Sequence, residues 1–62
     1  MSSRKNIPNA RERILDAAIS VFAEDGYEGA RVDGIAHKAG VPKSLIYYHF
    51  SGKEEILETL EK

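Results

Sequence analysis

IAHKAGVPKSLIYYHF, residues Ile35–Phe50, holds two short helical segments separated by Gly40-Val41-Pro42. Glycine accepts the left-handed conformation that follows a helix C-terminus without steric cost, so Gly40 ends the first segment. The residue before a proline is pushed toward extended geometry, which fits Val41. Proline itself favours the first position of a new helix, where its missing N–H leaves nothing unpaired. One helix therefore stops at Gly40 and another starts near Pro42. So short a connection forces a sharp crossing, the geometry of a helix-turn-helix. Ala36 and Ala39 are small where the two helices must approach most closely, Val41 plugs the turn, and Ile46 and Phe50 face inward from the later helix.

Working back toward the N-terminus, the earlier helix spans about Val32–Ala39, with Val32, Ile35, Ala36 and Ala39 as its buried face. Gly34 inside it costs about 1 kcal/mol relative to alanine, so tertiary contacts must hold this helix. Tyr27–Ala30 reads as a loop, with the Tyr27 ring on the edge of the core. Before it, Ile14, Leu15, Ala18, Ile19 and Phe22 recur at helical spacing and predict a helix over about Ala10–Glu24. Asn9 stands as its N-cap with Glu12 at capping-box distance, and Asp25-Gly26 as its stop. Met1–Pro8 is a polar arm carrying Arg4 and Lys5, either a frayed terminus or a basic extension that touches phosphates. Toward the other end, Ser51-Gly52-Lys53-Glu54 has capping-box spacing and opens a fourth helix whose acids suit the positive end of its dipole. Ile56, Leu57 and Leu60 continue an apolar stripe with no stop signal after it, so the fourth helix is expected to run on in a longer native protein. The fold class is all-α: a three-helix bundle containing a helix-turn-helix, plus the start of a fourth helix. An arm (residues 1–8), a compact domain (9–52) and the beginning of a connecting helix (53–62) complete the organisation.

At 62 residues the chain has room for one small domain. A domain of this size buries only about 60% of the surface its unfolded chain exposes, which leaves little space for a deep pocket. Its 42% hydrophobic and 31% charged content fits a folded soluble domain. With no cysteine, disulfides and thiolate metal sites are excluded, and a reducing cytoplasm is the expected compartment. No apolar run approaches the length of a membrane span, and the first residues lack a signal-peptide core. The net charge of −1 hides an uneven distribution. Through Lys53 eight basic residues outnumber six acids, whereas beyond it four glutamates face Lys62 alone. The acidic excess thus belongs to the last helix, and the remainder leans basic.

Residues three and four apart share one helix face, which groups Lys43, Ser44, Tyr47 and Tyr48 opposite Ile46 and Phe50. Lysine can donate to guanine O6 and N7, serine can bond several base edges, and a tyrosine can pack on a thymine methyl or reach a phosphate. An ordinary solvated face is the plainer reading, but two adjacent tyrosines and a histidine are costly to expose without purpose. The helix over Lys43–His49 is therefore expected to lie in the major groove of DNA. Lys53 and Arg31 each stand at a helix start flanking it, where an ammonium or guanidinium and free N–H groups both attract phosphate. His49 either bonds a phosphate or sits half-buried beside Phe50. Asp33 and His37 have metal-ligand spacing but no third ligand, so neither a metal nor a cofactor is expected. No nucleophile–base spacing or Gly-rich phosphate loop argues for an enzyme. A second class of function, a helical protein-interaction module without DNA binding, draws on Asp33, the net negative charge and an anchor of Ile56, Leu57 and Leu60.

FAEDGYEGA at residues 22–30, IAHKAGV at 35–41 and LIYYHFSGKEEIL at 45–57 together resemble the N-terminal domain of the TetR (tetracycline-repressor-like) family of transcriptional regulators. The resemblance runs from Ile14 to Leu57, most of the chain. It implies a homeodomain-like three-helix bundle and an operator contacted by Lys43, Ser44, Leu45, Tyr47, Tyr48 and His49, with Tyr47, His49 and Lys53 mostly on phosphates. Three positions depart from the family pattern. Arg31 replaces the usual Ser or Thr cap of the second helix and trades it for a phosphate contact. Asp33 stands where a polar or basic side chain often reaches DNA, and removes that contact unless it accepts a cytosine N4–H. Pro42 replaces a small polar residue and leaves the third helix without a side-chain cap. The family further implies a C-terminal helical domain, absent from these residues, that binds a small-molecule effector and makes a homodimer. This chain would hold one reading head and no effector.

Overall fold

The computed structural model describes residues 9–62, so the basic arm carrying Arg4 and Lys5 lies outside the described residues. Four helices follow in order, α1 (Ala10–Gly29), α2 (Val32–Ala39), α3 (Lys43–His49) and α4 (Lys53–Leu60), and no strand occurs among the described residues. The all-α bundle expected from the sequence is the fold observed.

The expected N-cap of α1 does not form. Asn9 adopts a left-handed conformation (φ 56°, ψ 36°) and its side chain makes no capping bond, while its carbonyl accepts from the Arg13 N–H at 2.9 Å. The Asp25-Gly26 stop is real but brief. Gly26 breaks the helix with φ 74° and ψ 162°, a region glycine enters freely. One more helical turn follows, so Tyr27–Gly29 is helical rather than a loop. It closes with the Ala30 N–H donating to the Gly26 and Tyr27 carbonyls at 3.0 and 3.2 Å. The Tyr27 ring packs against Phe22 with centroids 5.6 Å apart, at the core edge as expected.

The buried stripe of α1 is Ile14, Ala17, Ala18 and Val21, with Leu15 and Phe22 half-buried against it. Ile19, expected inside, is 52% exposed. The stripe is rotated toward Ala17, a small residue that lies beside Ala39 of α2, the helix that packs most extensively on α1.

α2 ends in a Schellman motif. Gly40 has φ 73° and ψ 34°, its N–H donates to the His37 carbonyl at 3.2 Å, and the Val41 N–H donates to the Ala36 carbonyl at 3.1 Å. Arg13 of α1 donates from Nη2 to the Ala39 carbonyl at 3.0 Å, satisfying one more of the orphan acceptors at this end. Pro42 stands one position before the first helical position that proline favours, and the expected span of the helix is kept. It is the extended N-cap residue of α3 (φ −70°, ψ 150°), and the helix begins at Lys43.

α4 is capped differently from the sequence expectation. Gly52 is the N-cap residue and the Ser51 hydroxyl makes no cap. Instead the Ser51 N–H donates to Oε1 of Glu55 at 2.8 Å. Glu55, not Glu54, is three residues after Gly52, and this glutamate reaches back over the helix start.

One core joins all four helices. Ile14, Ile35, Ile46 and Ile56, one from each helix, are each 0% exposed, and Ala30, Ala36, Ala39, Val41 and Phe50 fill the space around them. Burying one such side chain contributes about 1.5–3 kcal/mol. The connections around α3 are thereby fixed from both sides, Val41 before it and Phe50 after it.

Candidate nucleic-acid interface

α3 has only seven residues and one fully buried side chain, Ile46. Ile46 and Phe50, four apart, turn inward, so the opposite face must turn out. Lys43 and Ser44 are exposed, Tyr47 is 52% exposed and Tyr48 is 81% exposed. Two tyrosines left this open on a small domain form a ridge with donors, acceptors and aromatic faces. His49 is half-buried; its ring meets Tyr48 edge-on at 5.1 Å and Phe50 at 6.3 Å. Leu45, also named with the contacting residues, is half-buried and packs against the core. Its place on the helix lies between the outer face and Ile46, and its apolar side chain is drawn to the interior.

Arg31, Asp33, Lys43, Tyr47 and Lys53 line one open depression where the starts of α2, α3 and α4 meet. The sequence expectation that Arg31 and Lys53 flank the reading helix agrees with this placement. Their electrostatic states differ. Arg31 is exposed and extended (φ −130°, ψ 146°), and it makes no ion pair among the described residues. Lys53 is engaged inside the protein. Its Nζ donates to the carbonyls of Tyr27 at 2.7 Å, Ala30 at 2.9 Å and Glu28 at 3.4 Å, and lies 4.5 Å from the centroid of the Tyr27 ring. The free ammonium expected at the start of α4 is therefore spent on the carbonyls that end α1. Partial burial pushes the Tyr27 phenol above its ordinary pKa, and Glu54, Glu28 and Glu58 add to the shift.

Lys43 is also paired. Its Nζ lies 2.8 Å from Oδ1 of Asp33 across the turn. The hydrogen bond and charge of Lys43 hold the Asp33 carboxyl below its ordinary pKa, and Asp33 in turn raises that of Lys43. The sequence identified both residues but not their partnership, since nothing local links positions ten apart in separate helices.

Two other cations escaped the sequence reading. Arg13 caps α2, and the Arg11 guanidinium stands 5.5 Å from the Phe50 ring centroid, within cation–π range. Lys38 pairs with Glu24 at 3.5 Å, both side chains exposed. The anchor of the protein-interaction alternative is used internally: Ile56 is fully buried and Leu60 packs on the core. Among the described residues no group of acidic, histidine or cysteine side chains is arranged to hold a metal ion, and no helix is long and apolar enough to cross a membrane.

A bundle whose second and third helices form a tight helix-turn-helix with a projecting polar-aromatic ridge defines a helix-turn-helix protein. The chain belongs to the tetR family of bacterial regulatory proteins, whose sequence model matches residues 14–60. It is 48% identical over 50 residues to the HTH-type transcriptional regulator SrpR of Pseudomonas putida, covering 81% of this chain and 24% of that protein. It is 42% identical over 48 residues to the biofilm operon icaADBC HTH-type negative transcriptional regulator IcaR of Staphylococcus aureus, covering 77% and 26%. Among solved structures it is similar to a mutant of HlyIIR with residues 170–185 substituted by alanine, with a TM-score of 0.78 and 40% identity over 92% of this chain and 30% of that one. The chain thus spans about a quarter to a third of the length of these relatives.

Proposed function

We propose that this chain is the sequence-specific DNA-binding domain of a ligand-responsive transcriptional regulator that acts as a repressor. The observation that carries the reading is the outward ridge of α3, with Lys43, Ser44, Tyr47 and Tyr48 exposed while Ile46 and Phe50 are buried on its reverse. In helix-turn-helix proteins the N-terminal residues of the second helix meet base edges in the major groove, which assigns Lys43 and Ser44 to bases. Tyr47 and Tyr48 lie further along, within reach of a thymine methyl or the sugar-phosphate chain. Arg31 takes a phosphate at the start of α2, and His49 one at the far end of α3. Lys53 contributes by holding the end of α1 and the start of α4 together beside the depression that Arg31 and Tyr47 line. The negative regulator among the relatives supports a repressing role.

The whole regulator is a homodimer that binds its effector through a separate domain, and two copies of this domain engage successive major grooves. A single copy binds weakly, because few phosphates are neutralised and avidity is lost. Fluorescence anisotropy of labelled duplexes, titrated across a range of salt, tests the reading. Binding should weaken linearly in log–log form, with a slope of about −0.9 for each phosphate neutralised. Salt-independent binding, or amide shifts on duplex addition that fall outside residues 31–53, would overturn it in favour of a protein-interaction module.

A further inference from the structure

We propose that Asp33 and Lys43 act as one recognition unit for a single G·C base pair, an inference that rests on the DNA-binding reading above. The two side chains come from the first turns of α2 and α3, are both exposed, and are joined at 2.8 Å. An ammonium has three donors and no acceptor, and an ionised carboxylate accepts only. One Lys43 N–H is committed to Oδ1, which leaves two donors beside a carboxylate with unused lone pairs. In the major groove a G·C pair presents two adjacent acceptors, guanine N7 and O6, followed by one donor, the cytosine N4 amino group. Two donors flanked by an acceptor are complementary to that order. An A·T pair presents acceptor, donor, acceptor and a methyl group, which sets the second lysine donor against adenine N6 and the carboxylate against thymine O4.

The pairing also bears on where Lys43 binds. A lone lysine is drawn to any phosphate, whereas the Asp33 carboxylate is repelled by the backbone. The unit therefore adds little to sequence-blind attachment and acts only where a base edge satisfies both members. Entering the groove as a pair keeps each charge compensated as water leaves, so neither is stranded. Lys43 at the first position of α3 stands where side chains of a reading helix meet base edges.

The test is selection of duplexes from a randomised library by the unaltered chain, by Asp33→Ala, by Lys43→Ala and by the double variant, followed by anisotropy on the selected duplex and its single-base-pair variants. Circular dichroism confirms that each variant stays helical, as expected for exposed positions. The unaltered chain should select a G·C pair at one position of its site. Each single variant should reduce the preference at that position by about tenfold, the scale of one lost base-pair contact, and the double variant should reduce it no further. Preferences elsewhere in the site should hold. The proposal is overturned if Asp33→Ala strengthens binding to every duplex with the preference intact, since Asp33 would then only repel backbone. It is equally overturned if Asp33→Ala and Lys43→Ala act at different positions, or if the shared position selects A·T. Absence of any binding above that of a scrambled duplex would instead remove the DNA-binding reading itself.

Discussion

The Lys53 ammonium donates to the Tyr27 carbonyl at 2.7 Å, across 26 residues of sequence. With the Ala30 carbonyl at 2.9 Å it ties the end of α1 to the start of α4, immediately before α2 begins. Hydrogen bonds to charged groups contribute about 1.5–3 kcal/mol, less where water competes. Lys53→Met keeps an unbranched apolar side chain at this position and removes the donors. Urea unfolding should show a loss of about 1 kcal/mol. Amide exchange should accelerate at Ala30 and in α4 before it does in α2. Unchanged stability would mean that water serves those carbonyls equally well.

The helix-turn-helix itself was legible in the sequence because its boundaries are local. Gly40 and Pro42 act on their own neighbours, and α2 and α3 fall over Val32–Ala39 and Lys43–His49 as read. What was not legible acts through space. Ile19 outweighs Ala17 in any hydrophobicity count, yet Ala17 is buried and Ile19 is not, because a neighbouring helix selects for close approach rather than for side-chain size. Ser51 and Glu54 have capping-box spacing, but the start of α4 is set one residue later, at Gly52, and the cap passes to Glu55. Within the interface the pattern found the outward side chains but not their charge partners. Lys53 and Lys43 are both cationic in sequence, and only packing shows one seated on carbonyls and the other on Asp33.

Two glycines should respond oppositely to alanine. Gly34 lies inside α2 with open space around the position of an added Cβ, so Gly34→Ala should stabilise by about 0.5–1 kcal/mol and raise the Tm by about 4 °C. Gly40 has φ +73°, and an added Cβ would stand 3.1 Å from Nη2 of Arg13. Gly40→Ala should cost about 1–2 kcal/mol for the left-handed backbone alone. Paired thermal melts check both signs. Destabilisation by Gly34→Ala would mean that the outer face of α2 does not tolerate a methyl group.

Acid should loosen the start of α4. The Ser51 backbone N–H, and then its side chain, hold the Glu55 carboxyl below its ordinary pKa. A carboxyl depressed by folding stabilises the fold fully above its unfolded pKa, and that contribution fades as pH falls through the depressed value. The Asp33 carboxyl, lowered by Lys43, follows the same sign. An NMR titration downward from neutral pH should show the Ser51 amide shifting with the Glu55 carboxyl. Glu55→Gln should flatten the pH dependence of helicity in that range, and an unaltered profile would remove Glu55 from the cap.

Arg31 and Tyr47 face the same depression as the Asp33–Lys43 pair, but their expected partners carry no sequence information. Arg31 is exposed just ahead of α2, where the proposed reading gives its guanidinium and the first N–H groups of the helix one phosphate to share. Arg31→Ala should therefore weaken binding to cognate and scrambled duplexes by the same factor and reduce the magnitude of the salt slope by about 1. Tyr47→Phe removes one neutral hydroxyl, so it should weaken both duplexes alike with little change in slope. Both side chains are exposed, and urea midpoints should stay within error of the unaltered chain. A base preference that changed in either variant would move that residue from the backbone to a base edge, and the G·C position assigned to Asp33 and Lys43 would then have to be shared.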